Sequence, residues 1–181
     1  MPRIIWLFSL INLLLGSAAF VIGGIVGPLS RDLNVSVAAA GQAMTAYALA
    51  TALLSPFVML LLGSWRRKQA MLAALGLLAA GNAVCALAPS VGTLYAGRII
   101  MGLGAVFTPL AAGIVVSMVA PAQRGRALSM VFLGVSLSYV VGVPLGAWLA
   151  DAYGWRVPIM VMGVALLIGL LALWVLVPND L

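Results

Sequence analysis

The sequence predicts an all-α polytopic membrane protein with six transmembrane helices, and three observations predict it. Of the 181 residues, 65% are apolar and 7% charged, against roughly 45–50% apolar and about 25% charged in soluble domains. The mean hydropathy is +1.26. The apolar residues fall into six runs divided by prolines, glycines and charges, each long enough to cross a bilayer at about 20 residues per helix. These runs are apolar all round instead of alternating with polar residues, which excludes a transmembrane barrel. Connections are short, so residues 1–181 read as a single six-helix domain.

The first segment, about 4–27, carries Ser9, Asn12 and Ser17, has a stripe of small residues at Ala19, Gly23 and Gly27, and meets Pro28. Next, about 38–62, comes a segment with an alanine stripe, Ala39, Ala43, Ala46 and Ala50, stopping at Gly63. The third, about 70–88, has only Asn82 and Cys85 as polar residues and ends before Pro89. The fourth, about 93–119, holds Arg98 and ends near Pro121. The fifth, about 127–150, carries Gly134, Ser138, Gly142 and Gly146 at intervals of four, with Pro144 among them, and ends near Gly154. The sixth, about 157–177, has no polar residue and ends at Pro178. A helix apolar all round can face lipid, so segments three and six are expected as outer supports. Each triple of segments then closes with its most apolar member, the hydropathy symmetry expected of two three-helix repeats.

Charge sets the expected direction. Arg3, the cluster Arg66, Arg67 and Lys68, and the pair Arg124 and Arg126 fall on one side of a six-helix zigzag. The other side carries Arg31 beside Asp32, and Arg156 near Asp151. The positive-inside rule places both termini in the cytoplasm. The net charge of +6 is spread over these short loops, which excludes a basic nucleic-acid-binding face. There is no histidine or glutamate, and the three aspartates lie in loops or the tail, so no acid/base pair for an enzyme, no metal site and no cofactor site is expected. Cys85, the one cysteine, reads as small packing material.

Arg98 is the one charge deep within a segment. An arginine at a helix centre costs about 2.5–3.5 kcal/mol on the insertion scale and must be compensated by carbonyls, water or a ligand. Two roles stand open: a structural arginine bonded to the backbone of the first segment, and an anionic-substrate or coupling site. Met101, Ala105, Thr108 and Ala112 share its helical face.

Particular motifs add to this. Ala40-Gly41 followed by Thr45-Ala46-Tyr47-Ala48-Leu49, then Arg98-Ile99-Ile100-Met101-Gly102-Leu103-Gly104, Arg124-Gly125-Arg126-Ala127, and Gly142-Val143-Pro144-Leu145-Gly146 with Gly154-Trp155-Arg156 occur in order. In that order and spacing the chain resembles the N-terminal half of the major facilitator superfamily, particularly bacterial efflux permeases for drugs, sugars and nucleosides. The resemblance implies half of that fold, with both termini inside, in the bacterial inner membrane. Two departures bear on mechanism. Gly63 stands where relatives carry an aspartate before the basic cluster Arg66, Arg67 and Lys68, so that cytoplasmic motif is a remnant. No carboxylate lies within any segment, and Ala18 and Ala19 occupy the region where relatives often carry acids.

A full member has twelve spans, whereas this chain has six. The resemblance therefore implies a secondary transporter of small organic solutes, completed as a parallel homodimer with alternating access. The alternative is an orphan half, or a fragment of a twelve-helix permease. Under the dimer, membrane lipid surrounds the helices, and spans one and four of each copy line a cavity whose candidate residues are Arg98, Asn12, Tyr47, Met101, Phe107 and Thr108. The stripe Ala39, Ala43, Ala46 and Ala50 then packs near the partner copy's ridge of Gly134, Ser138, Gly142, Pro144 and Gly146. Ordinary packing within one chain is the plainer use of the same small residues.

Overall fold

A computed structural model describes residues 3–178, and all its regular elements are helical. Eight α-helices build six spans. The first span is α1 (Arg3–Asp32), the second α2 (Val37–Leu62) and the third α3 (Arg67–Ala86). The fourth combines α4 (Val91–Gly104) and α5 (Phe107–Met118) across a tight turn at Ala105 and Val106. A 3-10 turn, Pro121–Gln123, leads into the fifth span, α6 (Arg124–Leu137) and α7 (Val143–Tyr153), joined by the π-turn Ser138–Gly142. The sixth is α8 (Arg156–Leu176). All six are long and apolar enough to cross a membrane.

The first span runs past Pro28 to Asp32, because a proline one turn from a helix end removes a single backbone bond and leaves the rest of the turn intact. In the fifth span the proline acts more strongly. Pro144 has no N–H for the carbonyl one turn back, and just before it the amide of Val143 bonds the carbonyl of Ser138, five residues earlier.

The first span is the hub, touching the second, fourth, fifth and sixth. Its contact with the fifth explains the glycine ridge. A side chain at Gly134 would strike the carbonyl of Ser9, one at Gly142 the hydroxyl of Ser17, and one at Gly146 the side chain of Val21. Reciprocally, a Cβ at Gly16 would meet Ser138, and one at Gly24 would lie 3.0 Å from the Ala147 Cβ. Small residues on both helices let the two backbones approach along their whole length. The ridge is therefore consumed within the chain.

The alanine stripe is used within the chain in part. Ala43 and Ala50 are buried against the fourth span, where a Cβ at Gly102 would come within 2.6 Å of the Ala50 Cβ. Ala39 and Ala46 are half-buried, and the Ala39 carbonyl accepts a hydrogen bond from Tyr95 at 2.5 Å. The ridge is thus used within the chain, whereas Ala46 and Ala50 of the stripe also border an open apolar groove with Leu53 and Ile99; of the stripe and ridge residues only Pro144 is exposed. Pairing within a chain carries no extra entropic cost of association, so small-residue faces that meet locally are used locally.

The third span also departs from expectation. More than half of it is buried (56%), against 28% of the sixth, because it is packed between the fourth and sixth spans. Gly81 and Gly97 bring the third and fourth backbones together, each with the other's carbonyl within 2.8 Å of its would-be Cβ. Asn82 donates to the carbonyl of Ile159 at 2.7 Å, tying the third span to the sixth. Hydropathy cannot tell this span from a lipid-facing one, since alanine and leucine serve both environments equally.

At one end of the bundle a single side chain joins three loops. Arg156 pairs with Asp32 at 2.5 Å, donates to the carbonyl of Ala88 at 3.0 Å and lies over the Trp155 ring, whose Nε1 also donates to Asp32 at 2.9 Å. At the other end Arg67 donates to the Ser117 hydroxyl at 2.8 Å, holding the loop between spans two and three to the end of span four.

Candidate functional site

Arg98 is placed by α4, whose first turn is capped by the Ser90 hydroxyl accepting from the amide of Thr93. Two turns later the side chain enters the space between the first, second and fourth spans. Its exposure is 1%, and no carboxylate is among its partners. Backbone takes that role: Nε donates to the Ala43 carbonyl at 3.2 Å, one terminal nitrogen to Ala18 at 3.1 Å, and the other to Ala19. The Met101 sulfur lies 3.8 Å away, and the Tyr47 ring sits 4.8 Å from the guanidinium carbon. A guanidinium is solvated here by carbonyl dipoles and an aromatic face, the compensation a buried cation requires. Of its five N–H donors these contacts occupy four.

Of the two roles left open by the sequence, the structural one is visible, and its partners extend to the second span. Arg98 is nevertheless at a wall. Beside it lies a cavity of about 670 Å³ lined by Ala19, Phe20, Met44, Thr45, Tyr47, Ala48, Leu49, Thr51, Ala52 and Arg98. The lining is mostly apolar, with a few hydroxyls and the edge of one cation. That composition suits a flat or amphipathic organic molecule, held by contact area and oriented by few polar groups.

The six expected cavity residues separate into three groups. Arg98 and Tyr47 line the cavity. Met101 is fully buried behind Arg98, its sulfur also 4.0 Å from Cys85. Phe107 is core, packed edge-on against Phe8 at 6.2 Å. Asn12 and Thr108 make a second polar node away from the wall: Asn12 donates to the Val131 carbonyl at 3.2 Å and accepts from Thr108 at 2.6 Å, joining spans one, four and five. Met101 and Phe107 are thus corrected from lining to packing, because each turns into the bundle, Met101 from α4 and Phe107 from α5.

Sequence reasoning missed Phe20, Met44, Thr45 and Thr51. On the second span, Met44, Thr45, Ala48, Thr51 and Ala52 follow helical spacing and flank Tyr47. The two threonine hydroxyls were the available signal, overshadowed by the neighbouring alanines. Phe20 stacks on Tyr139 of the π-turn, with centroids 4.5 Å apart, so the bulge in the fifth span reaches the cavity through that ring.

The basic cluster lies at the far end of the bundle. Gly63 caps α2 in ordinary right-handed backbone, Arg66 precedes α3, Arg67 holds Ser117, and Lys68 is 9% exposed. Among the described residues no group of His, Cys, Asp or Glu side chains could hold a metal ion.

The fold has known counterparts. It superimposes on a peptide transporter, POT, solved with alafosfalin, with a TM-score of 0.79 at 17% identity, covering 98% of this chain and 38% of that one. The xylose transporter XylE from Escherichia coli gives a TM-score of 0.78 at 20% identity, covering 98% and 50%. In sequence, the chain is 35% identical over 173 residues to the MFS-type transporter YbcL of Bacillus subtilis, which covers 95% of this chain and 44% of that one. It is 34% identical over 155 residues to a chloramphenicol efflux pump of Mycobacterium tuberculosis, covering 82% and 37%. The chain thus spans less than half the length of these relatives. The family model described as Major Facilitator Superfamily matches residues 8–180. With that match, the sequence relatives and the superimposed transporters in hand, this chain belongs to the Major Facilitator Superfamily of membrane transporters.

Proposed function

We propose that this chain is one half of a secondary transporter for small, amphipathic organic solutes, working by alternating access in a bacterial cytoplasmic membrane with both termini inside. The observation that carries the proposal is the apolar cavity on spans one, two and four, with an arginine bonded to backbone carbonyls in its wall. Its walls come from one side only, so a solute within it needs a second six-helix body to be enclosed. In this family the two halves are related by an axis along the membrane normal, so a second copy in the same orientation has the geometry of a second half. Efflux pumps among the relatives support an organic substrate. The basic loops at one end support cytoplasmic termini.

Arg98 contributes by fixing the wall. It clamps the first and second spans to the fourth, so the cavity surface moves as one piece when the half rocks. With four of its N–H donors engaged, it has little capacity to bind a carboxylate directly, which favours neutral or weakly polar solutes over anions. No described carboxylate of this chain lies at cavity depth, so a homodimer would couple to ions through groups other than a buried acid.

The second reading is that the missing half is a different polypeptide sequence, favoured by the chain matching less than half of each full-length relative. The test is the purified chain in vesicles, with chloramphenicol as the first solute and particle mass measured in nanodiscs. Saturable, vesicle-dependent movement by particles of two chains supports the homodimer. A single chain per particle and no movement, restored when a second six-helix half is added, supports the second reading. Cysteines at the exposed positions Leu53 and Val140 in a Cys85→Ala background sharpen the result, since a crosslinked pair of chains locates the contact on spans two and five.

A further inference from the structure

Away from the cavity, at the basic end of the bundle, a recess of about 270 Å³ is lined by Arg66, Lys68, Gln69, Leu72 and Trp174. It lies where the start of α3 meets the end of α8. Lys68 is 9% exposed, its stem covered while it lines the recess, and the one ion pair among the described residues is elsewhere, between Arg156 and Asp32. The start of α3 is also uncapped: Arg66 makes no side-chain capping bond, so the first-turn amides carry their partial positive charge toward that end. Asp32 and Asp151, the acidic residues among those described, lie at the opposite end of the bundle. Two cationic side chains and an open helix N-terminus converge on a pocket with no described counter-charge, a setting built for an anion.

The apolar surroundings choose among anions. Leu72 and Trp174 are the apolar part of its lining. From Trp174 an exposed apolar stripe descends the sixth span through Leu171, Leu167, Val164 and Met160, each at least 45% exposed and spaced four or three residues apart. A soluble phosphate has no use for such a track. A tryptophan at a helix end marks headgroup depth, and basic pockets between helix ends suit lipid headgroups. We propose that this recess binds the phosphodiester headgroup of an anionic phospholipid, with its acyl chain lying along the stripe from Trp174 to Met160. The site is independent of the transport cavity and of which second half completes the transporter.

The test uses the delipidated 181-residue chain in detergent, with phosphatidylglycerol and phosphatidylcholine of matched chains titrated in, read by native mass spectrometry and by the thermal unfolding midpoint. Phosphatidylglycerol is expected to be retained at least tenfold more tightly than phosphatidylcholine. Lys68→Gln and the exposed Arg66→Gln should each reduce that preference threefold or more, while Trp174→Leu weakens both lipids without changing the preference. The double variant Arg124→Gln/Arg126→Gln, basic residues at the same end but outside the recess, should leave it unchanged. Equal loss of preference in that double variant, or full preference retained in Arg66→Gln, would overturn the site. Reproduction of the midpoint shift by inorganic phosphate or glycerol phosphate would equally overturn it, since the acyl track would then have no role.

Discussion

Two arginines in this molecule solve the same problem in opposite ways. Arg98 is shut inside the bundle, bonded to three backbone carbonyls with no acid nearby, whereas Arg156 stands at the rim, 38% exposed, paired with an aspartate. Inside a membrane protein an acid partner would itself have to be desolvated, and backbone carbonyls already present in the helices serve as acceptors at no such cost. At the rim water screens both charges, so a conventional ion pair forms and contributes little. Depth therefore decides what a cation's partners are, and also what its removal costs.

Replacing Arg98 by alanine should have the largest effect, a loss of about 3 kcal/mol or more, because three buried hydrogen bonds that tie the fourth span to the first and second are lost at about 1 kcal/mol each, together with the packing of a fully buried side chain. Unfolding by graded addition of denaturing detergent, followed by tryptophan fluorescence, measures it. Arg98→Lys should recover part of that loss, since one ammonium cannot span the Ala18, Ala19 and Ala43 carbonyls in the fork geometry of a guanidinium. Equal stability of the lysine and arginine proteins would break the contrast drawn here, because a point charge would then suffice.

Gly134→Ala comes next. Its new methyl group would collide with the Ser9 carbonyl and sit 2.8 Å from the Leu13 amide, backbone that cannot swing aside. Overpacking of this kind costs about 1–3 kcal/mol, and the thermal midpoint in detergent should fall accordingly. The chemically identical change at Gly113, where nothing lies within 4 Å, should leave that midpoint nearly unmoved.

Asn12→Leu should cost about 1–2 kcal/mol by stranding the Thr108 hydroxyl and removing the bond to the Val131 carbonyl. A double-mutant cycle with Thr108→Val tests the node, because the second change removes one stranded group and should be less harmful in the Asn12→Leu background than alone.

The smallest effect belongs to the rim. Arg156→Ala is expected to cost below about 1 kcal/mol, an amount that shrinks further as salt is raised. Hydrogen exchange should nonetheless report faster opening of the three loops it joins, at Asp32, Ala88 and Trp155. If this change destabilised the protein as much as Arg98→Ala, depth would not be the controlling variable.

Some of this was open to inspection in the residues alone. The six spans follow from runs of apolar residues whose length matches a bilayer, and the isolated Arg98 announced itself because a charge in such a run demands compensation. The small-residue stripes were equally visible, but their partners were not. Gly134, Gly142 and Gly146 say that another backbone comes close; they do not say whose, and the answer is the first span of the same chain. Met101 and Phe107 share the fourth span with Arg98, yet Met101 stands about 60° from it around the helix and Phe107 lies past the turn at Ala105 and Val106, so packing alone separates the wall of a cavity from the core behind it.

By itself, then, the sequence determined the solvent of each segment: hydropathy is a sum over local residues, so lipid, loop and the places where a charge needs help can be counted off the chain. Only tertiary structure decided which surfaces meet. It set Arg98 against the carbonyls of Ala18, Ala19 and Ala43, buried the third span, and gathered Asp32, Ala88 and Arg156 into one clasp. In lipid, leucine and alanine are as comfortable against a neighbouring helix as against an acyl chain. Packing shape and a few directed hydrogen bonds, distant in sequence, therefore select the partner.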